Sequence, residues 1–174
     1  MSASRALVYF AHGKESGPWG TKIIELAKVA RDFNCEVVSG DFRGIDDPEQ
    51  RVDYLLKNFP AMSNTHTPLV LVGSSMGAYV VASAAEQLKP QGLYLLAPAI
   101  GLPGFGRQNI HAVTQVMEVV HGWNDEIVPV QYAIQFSQQH KSSLHLVNDE
   151  HRLIASLPQI TQWFAYFLRR TLSL

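Results

Sequence analysis

Cysteine is almost missing from this sequence, which has only Cys35 among its 174 residues. A single cysteine excludes a disulfide within the chain and a zinc site made of several thiolates, and it fits a reducing compartment. An apolar core must therefore stabilise the fold, and we expect Cys35 to be packed in it. A chain of this length can bury roughly 70% of its unfolded surface, so residues 1–174 are predicted to form one domain.

Charge is also scarce and nearly balanced, since 17% of the residues are charged and the net charge is −1. This balance provides no basic surface for nucleic acid or an anionic membrane, so we expect a small-molecule partner. Long apolar runs are missing too. The first run, residues 6–11, is short and lacks a following cleavage site, so we expect no signal peptide, no membrane span and a cytoplasmic location. Nothing in the sequence indicates the oligomeric state.

Short apolar runs typical of buried strands alternate with helical patterns along the chain. Strands are predicted at residues 6–11, 35–39, 69–72, 92–96, 116–121 and 144–147. Helices are predicted at residues 21–34, 129–140 and 158–170, and two more are predicted to begin at Pro48 and Met76. This alternation predicts a doubly wound, mainly parallel six-stranded sheet with helices on both faces, and a ligand site beyond the carboxyl ends of its strands. Residues 97–114 favour an irregular connection, with room for two helical turns at residues 109–114.

The stretch Gly73-Ser74-Ser75-Met76-Gly77 fits the G-x-S-x-G nucleophile elbow, in which a strained turn lifts the central serine above the sheet. Chance alone would produce such a match in roughly one chain in twenty of this length, so its context must support it. The context fits, because an apolar predicted strand precedes the motif and a helical pattern follows it. Ser75 is therefore the candidate nucleophile, and Ser74 fills a variable position.

A serine needs an imidazole to take its proton, and the imidazole needs a carboxylate to fix its tautomer. Asp125 follows the fifth predicted strand and His151 follows the sixth, which gives the chain order serine, acid, histidine. Two alternatives stay open: Asp149 or Glu150 could be the acid while Asp125 caps a helix, and His151 could be an ordinary surface histidine. We expect His12 and His121 to hydrogen-bond to their own loops, and the sequence has no H-E-x-x-H or similar metal-binding cluster.

Four motifs resemble the α/β-hydrolase family, particularly its small lidless bacterial esterase-like members, over essentially the whole chain. They are the His12-Gly13 loop, the elbow, the H-G-x-x-D-x-x-V-P pattern of residues 121–129, and His151. The resemblance implies that Ser75 is the nucleophile, His151 the general base and acid, and Asp125 its orienting carboxylate. The family's first two antiparallel strands have no counterpart before residue 6, and the connection before the fifth strand is too short for a cap domain.

An oxyanion that develops on the substrate requires two preorganised donors. The backbone N–H of Met76, at the start of a helix, is one candidate. The resemblance implies that the other lies after His12-Gly13, where we favour the N–H of Lys14, with that of Glu15 as the alternative. A set of aromatic residues in predicted loops near the site forms a candidate apolar acyl pocket, although each is more often packing: Trp19, Phe42, Phe105 and Trp123.

These residues together favour a serine hydrolase that cleaves small carboxylic esters or thioesters through an acyl-enzyme, without a cofactor or metal. Two alternatives remain at this stage. The same three residues could transfer an acyl or peptide group to another acceptor, or the fold could serve as a protein-binding module with little or no activity.

Overall fold

The computed structural model describes residues 5–62 and 67–173. Its sheet contains the strands β1 (Leu7–Ala11), β2 (Glu36–Gly40), β3 (Leu69–Ser74), β4 (Gly92–Leu96), β5 (Val116–Gly122) and β6 (Ser143–Val147). They are hydrogen-bonded in the order β2-β1-β3-β4-β5-β6, and each neighbouring pair is parallel. The predicted six-stranded doubly wound sheet is confirmed.

The helices are α1 (Thr21–Asp32), α2 (Pro48–Asn58), α3 (Met76–Leu88), α4 (Val130–His140) and α5 (Leu157–Leu172). The start of α2 follows from its sequence, because the Asp47 carboxylate accepts a hydrogen bond from the Gln50 N–H at 2.8 Å and Pro48 occupies the first turn. Within residues 5–62 and 67–173, no helix is long and apolar enough to cross a membrane.

Alternation along β1 divides the core into two layers. Leu7, Tyr9 and Ala11 pack with α2, α3 and α4, whereas Val8 and Phe10 pack with α1 and α5. Because both faces of the strand are covered, every residue of β1 is buried, which explains why it reads as a continuous apolar run. Cys35 is buried in the second layer, as expected.

The order in which successive strands are added to the sheet reverses at β1. β2 lies on one side of β1, and β3 and the later strands lie on the other. The loop after β1 and the loop after β3 therefore leave the sheet side by side and continue to opposite sides of β1. Such a switch point opens a crevice at the carboxyl ends of the strands, where open α/β sheets bind their ligands.

The connection between β4 and β5 contains no helix in the described structure, so the two helical turns considered for residues 109–114 do not form. Gly101 and Gly104 adopt positive φ angles of 78° and 87°, which turn the chain repeatedly. The Gln108 side chain then donates to the backbone carbonyls of Leu102 and Phe105 at 2.9 and 2.7 Å. These contacts hold the connection as an irregular loop.

Candidate active site

Ser75 occupies the sharp turn between β3 and α3, with φ 54° and ψ −119°. A side chain at either flanking glycine would collide with backbone: a Cβ on Gly73 would come within 2.5 Å of the Ala78 Cα, and one on Gly77 would overlap the Ala11 carbonyl. The two glycines therefore let strand, turn and helix pack closely enough to hold this strained backbone. The Ser75 carbonyl also accepts from the Ala99 N–H at 3.1 Å, which fixes the turn from the β4 side.

His151 lies between Ser75 and Asp125. Its Nε2 is 2.9 Å from the Ser75 Oγ, and its Nδ1 is 2.7 Å from the Asp125 Oδ2. With the proton on Nδ1 donated to the carboxylate, Nε2 is free to accept the serine hydroxyl, which is the arrangement that general-base activation needs. The structure thus brings together three residues that are 50 and 26 positions apart in sequence and follow β3, β5 and β6.

The Asp125 side chain is buried and surrounded by donors. Its Oδ1 accepts from the backbone N–H groups of Ile127 and Val128 at 2.9 and 2.8 Å, and its Oδ2 faces His151 and, at 3.2 Å, the Nε2 of His121. Burial alone would raise the pKa of Asp125, but hydrogen bonds from His121, His151 and Val128 outweigh it and hold the pKa well below its usual range. The Asp125 carboxylate is therefore ionised at neutral pH and on either side of it.

The two alternative acids, Asp149 and Glu150, are in different environments from Asp125. The Asp149 carboxylate accepts from the backbone N–H groups of Glu150 and Ser156 at 2.8 and 2.7 Å, so it shapes the loop that carries His151. Glu150 is exposed at the cleft. The helix-capping alternative for Asp125 is wrong, because no side chain among the described residues caps α4. Its Oδ1 instead holds the turn that precedes α4, while its Oδ2 faces His151.

The loop after β1 approaches Ser75 directly. A Cβ on Gly13 would lie 3.4 Å from the Ser75 Cβ, and the next residues, Lys14 and Glu15, line the cleft. On the other side of the serine, α3 begins at Met76, whose N–H belongs to the first turn and has no acceptor within the helix. The backbone amides favoured as oxyanion donors, those of Met76 and Lys14, are therefore on the two segments that flank the serine.

His12 is an internal support of this loop. It is fully buried, its Nδ1 donates to the Gly13 carbonyl at 2.7 Å, and its Nε2 accepts from the Phe42 N–H at 2.9 Å. Both ring nitrogens are therefore occupied by backbone groups, in agreement with the expected loop role. Arg51 adds a second support, because its buried guanidinium donates to the carbonyls of His12 at 3.1 Å and Ile45 at 2.6 Å.

The four aromatic residues expected around the site lie in three different kinds of position. Phe105 lines the cleft together with the apolar side chains of Ala99, Leu102, Ile127 and Ile154. Phe42 does not: it is 0% exposed and packs against His12 and Tyr54, so a substrate cannot reach it. Trp19 and Trp123 are 46% and 53% exposed but lie outside the cleft lining. The apolar wall of the cleft is therefore largely aliphatic.

Among the structures compared, a hydrolase of the α/β superfamily from Xanthomonas campestris pv. campestris is 31% identical, with a TM-score of 0.86, and the alignment covers 95% of this chain and 99% of that one. The chain belongs to the α/β-hydrolase superfamily. Two further structures of similar fold are Est1E from Butyrivibrio proteoclasticus (18% identity, TM-score 0.83, 98% of this chain and 90% of that one covered) and an α/β serine hydrolase without lid from Xanthomonas campestris (23% identity, TM-score 0.69, 97% and 83% covered). No family model and no curated protein matches the sequence.

This α/β-hydrolase also contains a polar cluster that sequence reasoning missed. Tyr79 donates its hydroxyl to the Glu49 carboxylate and accepts from the Arg107 N–H at 2.9 Å, while the Arg107 Nε donates to Glu49 at 2.9 Å. The Phe105 ring packs edge-on against Tyr79, with centroids 4.9 Å apart. The cluster thereby anchors the β4–β5 loop to α2 and α3 and fixes the position of the cleft wall.

No group of three His, Cys, Asp or Glu side chains in the described part of this hydrolase is arranged to hold a metal ion. The chemistry that its cleft can support with its own residues is proton transfer from Ser75 to His151, next to a carboxylate that stays charged. A hydroxyl activated in this way is suited to attack an acyl carbon.

Proposed function

We propose that the protein is a serine hydrolase that cleaves small carboxylic esters or thioesters through an acyl-enzyme intermediate. The observation that carries the proposal is the continuous hydrogen-bonded chain from the Ser75 Oγ through His151 to the Asp125 carboxylate, placed in an open cleft. A chain of this geometry is what turns a weakly nucleophilic hydroxyl into a reactive one. A protein of similar fold, the serine hydrolase without lid from Xanthomonas campestris, supports the same chemistry.

In the proposed first step, the Ser75 Oγ attacks the acyl carbon while the His151 Nε2 takes the hydroxyl proton. Asp125 stabilises the positive charge that forms on the imidazole. His151 then returns the proton to the departing alcohol or thiol, which leaves the acyl group on Ser75. Water, deprotonated by the same imidazole, releases the acid in the second half of the reaction. The amides of Met76 and Lys14 would stabilise the oxyanion in both halves.

A fluorophosphonate probe tests the proposal directly, because it reacts with an activated serine and not with an ordinary hydroxyl. We expect intact-protein mass spectrometry to find one adduct on the wild-type protein and peptide mapping to place it at Ser75. A folded wild-type protein that stays unlabelled at a high probe concentration would contradict the proposal and favour a binding module.

The length of the acyl chain should affect the reaction in a characteristic way. The cleft is open to solvent, so we expect Leu102, Phe105 and Ile154 to bury only the first few carbons of an acyl chain. Each buried methylene contributes ~0.8 kcal/mol, or about a fourfold gain in kcat/KM. In a series of nitrophenyl esters we expect kcat/KM to rise over two to four carbons and then to level off, with no jump when the substrate forms an interface. Phe105→Ala should reduce the gain per carbon.

The opposite result would be the highest kcat/KM for long chains, or a rate jump above the solubility limit. Either outcome would show that a larger apolar surface takes part than the described cleft contains.

His121 should affect the pH dependence of the reaction by donating a hydrogen bond to Asp125, without touching the substrate. Its ring is buried, and its Nε2 faces two acceptors, the Val128 carbonyl at 2.8 Å and the Asp125 Oδ2 at 3.2 Å, so Nε2 carries the proton. In His121→Leu, the carboxylate loses a donor and interacts more strongly with the protonated form of His151. We expect the midpoint of kcat/KM against pH to rise by roughly half a pH unit.

His121→Gln is the matched control for this prediction, because its amide nitrogen can donate from nearly the same place as Nε2. It should restore the wild-type midpoint, and thermal unfolding of both variants separates this effect from a loss of stability. Equal midpoints in wild type and a folded His121→Leu would rule out the positioning role.

A further inference from the structure

One of the two lysines that line the cleft is half-buried. Lys22, in the first turn of α1, lines the cleft, and its Nζ donates to the Arg152 carbonyl at 2.9 Å. Arg152 directly follows His151, so this ammonium lies beside the loop that carries the base. An ammonium has three donors, and this bond uses one of them.

In the part of the chain that the structure describes, no carboxylate forms an ion pair with Lys22. Within residues 5–62 and 67–173, every ion pair with an N–O distance of 4.0 Å or less joins other residues. Burial, followed by the nearby Arg152, lowers the pKa of Lys22 to about 8, although Asp125 and Asp149 act in the opposite direction. The group is therefore a cation at neutral pH that has lost part of its hydration without gaining a counter-ion.

The remaining charged residues of the cleft are in a different situation. They are exposed, so water and salt screen them: Lys14, Glu15, Glu126, Glu150 and Arg152. None of them forms an ion pair with Lys22, and their charges of both signs largely cancel. Beside the predicted reaction centre, the buried Asp125 carboxylate already accepts from its own donors, whereas Lys22 has N–H groups without a described partner. An anionic group of a ligand would complete the hydrogen bonds of Lys22.

We propose that Lys22 binds a carboxylate of the substrate, so that the preferred substrates are esters or thioesters that carry a second, ionised carboxyl group. This inference rests on the proposed hydrolase function. The carboxylate would accept hydrogen bonds from the two unused N–H groups of Lys22 and replace the water that the ammonium has lost. In free solvent such a charge pair contributes little to binding free energy, but this one would form in the wall of the cleft.

The bond to the Arg152 carbonyl suggests a competing role, in which Lys22 only holds the His151 loop in place. The two roles differ in what they do to selectivity. A structural tie affects the reacting groups and therefore lowers the hydrolysis of every ester by the same factor, whereas a carboxylate site acts on charged substrates alone.

The test compares matched pairs of charged and neutral esters. Monoethyl succinate against ethyl butyrate places the carboxylate on the acyl side, and 4-acetoxybenzoate against phenyl acetate places it on the alcohol side. The measured quantity is the ratio of kcat/KM for the charged ester to that for the neutral one, so intrinsic reactivity cancels between variants. In at least one pair, Lys22→Met should lower this ratio about tenfold, and Lys22→Arg should lower it less.

Lys28→Met is the matched control, because Lys28 is on the same helix but outside the cleft lining, where it pairs with Glu25 at 2.7 Å. It removes the same charge from the protein and should leave the ratio at the wild-type value. In the wild type, the ratio should also fall as the pH rises through about 8, since Lys22 then loses its proton, and this fall should be missing in Lys22→Met. Equal losses on charged and neutral esters in both pairs would overturn the carboxylate site.

A measurement of binding affinity tests this proposal separately from the hydrolase proposal. In Ser75→Ala, which cannot form an acyl-enzyme, the affinity for monoethyl succinate and 4-acetoxybenzoate can be measured by NMR titration without turnover. We expect the additional substitution Lys22→Met to weaken the affinity for one of them about tenfold. Unchanged affinity for both would refute the carboxylate site. A wild type that binds the charged ester through Lys22 but is not labelled by a fluorophosphonate would instead refute the hydrolase.

Discussion

Ser75→Ala is expected to lower kcat for ester hydrolysis by a factor on the order of 10⁴ to 10⁶ and to leave the fold intact. The reason lies in the geometry of the turn, where the Ser75 Oγ is the atom that faces the His151 Nε2 at 2.9 Å. Without this oxygen no acyl-enzyme can form, and only the binding and oxyanion contributions remain. Steady-state hydrolysis of a short nitrophenyl ester measures the loss, and circular dichroism checks the fold.

Ser74→Ala is the matched control, because it makes the same chemical change one residue earlier, at the end of β3. The Ser74 side chain has no described contact with His151, so we expect kcat within about threefold of the wild-type value. The double variant Ser75→Ala, His151→Ala should be no less active than Ser75→Ala alone, because the members of a triad act as a unit. An inactive Ser74→Ala beside an active Ser75→Ala would contradict the assignment of the nucleophile.

Asp125→Asn is expected to lower kcat about 10⁴-fold, the size of loss known for the corresponding change in serine-protease triads. The carboxylate oxygen Oδ1 holds the turn by accepting from the N–H groups of Ile127 and Val128. An amide oxygen can do the same, so the turn should persist. The amide NH₂ would then face the His151 Nδ1, at 2.7 Å in the native protein, and force the proton of the imidazole onto the nitrogen that must accept from Ser75. The pre-steady-state rate of acylation measures this loss.

Glu150→Gln is the control, since Glu150 is one of the two alternative acids, with Asp149, and is exposed next to His151 in sequence. We expect its acylation rate to remain within about threefold of the wild-type rate. An active Asp125→Asn together with an inactive Glu150→Gln would move the orienting role to Glu150.

The parts of the site that the sequence predicts are those determined by local chemistry. Gly73 and Gly77 bracket Ser75 because a Cβ at either would strike neighbouring backbone, and this requirement appears in the sequence as a short motif. Asp125 and His151 were found because parallel strands bring their carboxyl ends to the same edge of a sheet. The sequence favours Asp125 but leaves Asp149 and Glu150 open, since all three follow the last two strands. The 2.7 Å distance from the Asp125 carboxylate to His151 distinguishes Asp125 from the other two.

The contacts that support the site were missed because they depend on which way a side chain points. Phe42 and Phe105 are both aromatic loop residues, but one points into the core and the other into the cleft. Arg51 is a charged residue with a fully buried guanidinium, which ordinary burial preferences argue against. Its position one turn before the buried Leu55 in α2 was the available signal. For Tyr79, which supports the cleft wall through Arg107 and Glu49, the sequence contains no comparable signal.

The order of the strands has a consequence for how activity depends on folding. Ser75 is next to the central strand β3, whereas the proposed base, His151, is in the loop after β6. In the described sheet β6 is an edge strand beside β5, and it is covered less completely than β3. Contacts between such distant parts of a chain are costly in loop-closure entropy, so they form late. Edge strands also open by local fluctuation before the centre of a sheet does. Opening of β6 alone would withdraw His151 while the elbow stays intact, so under the proposed mechanism Ser75 would be activated only when β6 is in place.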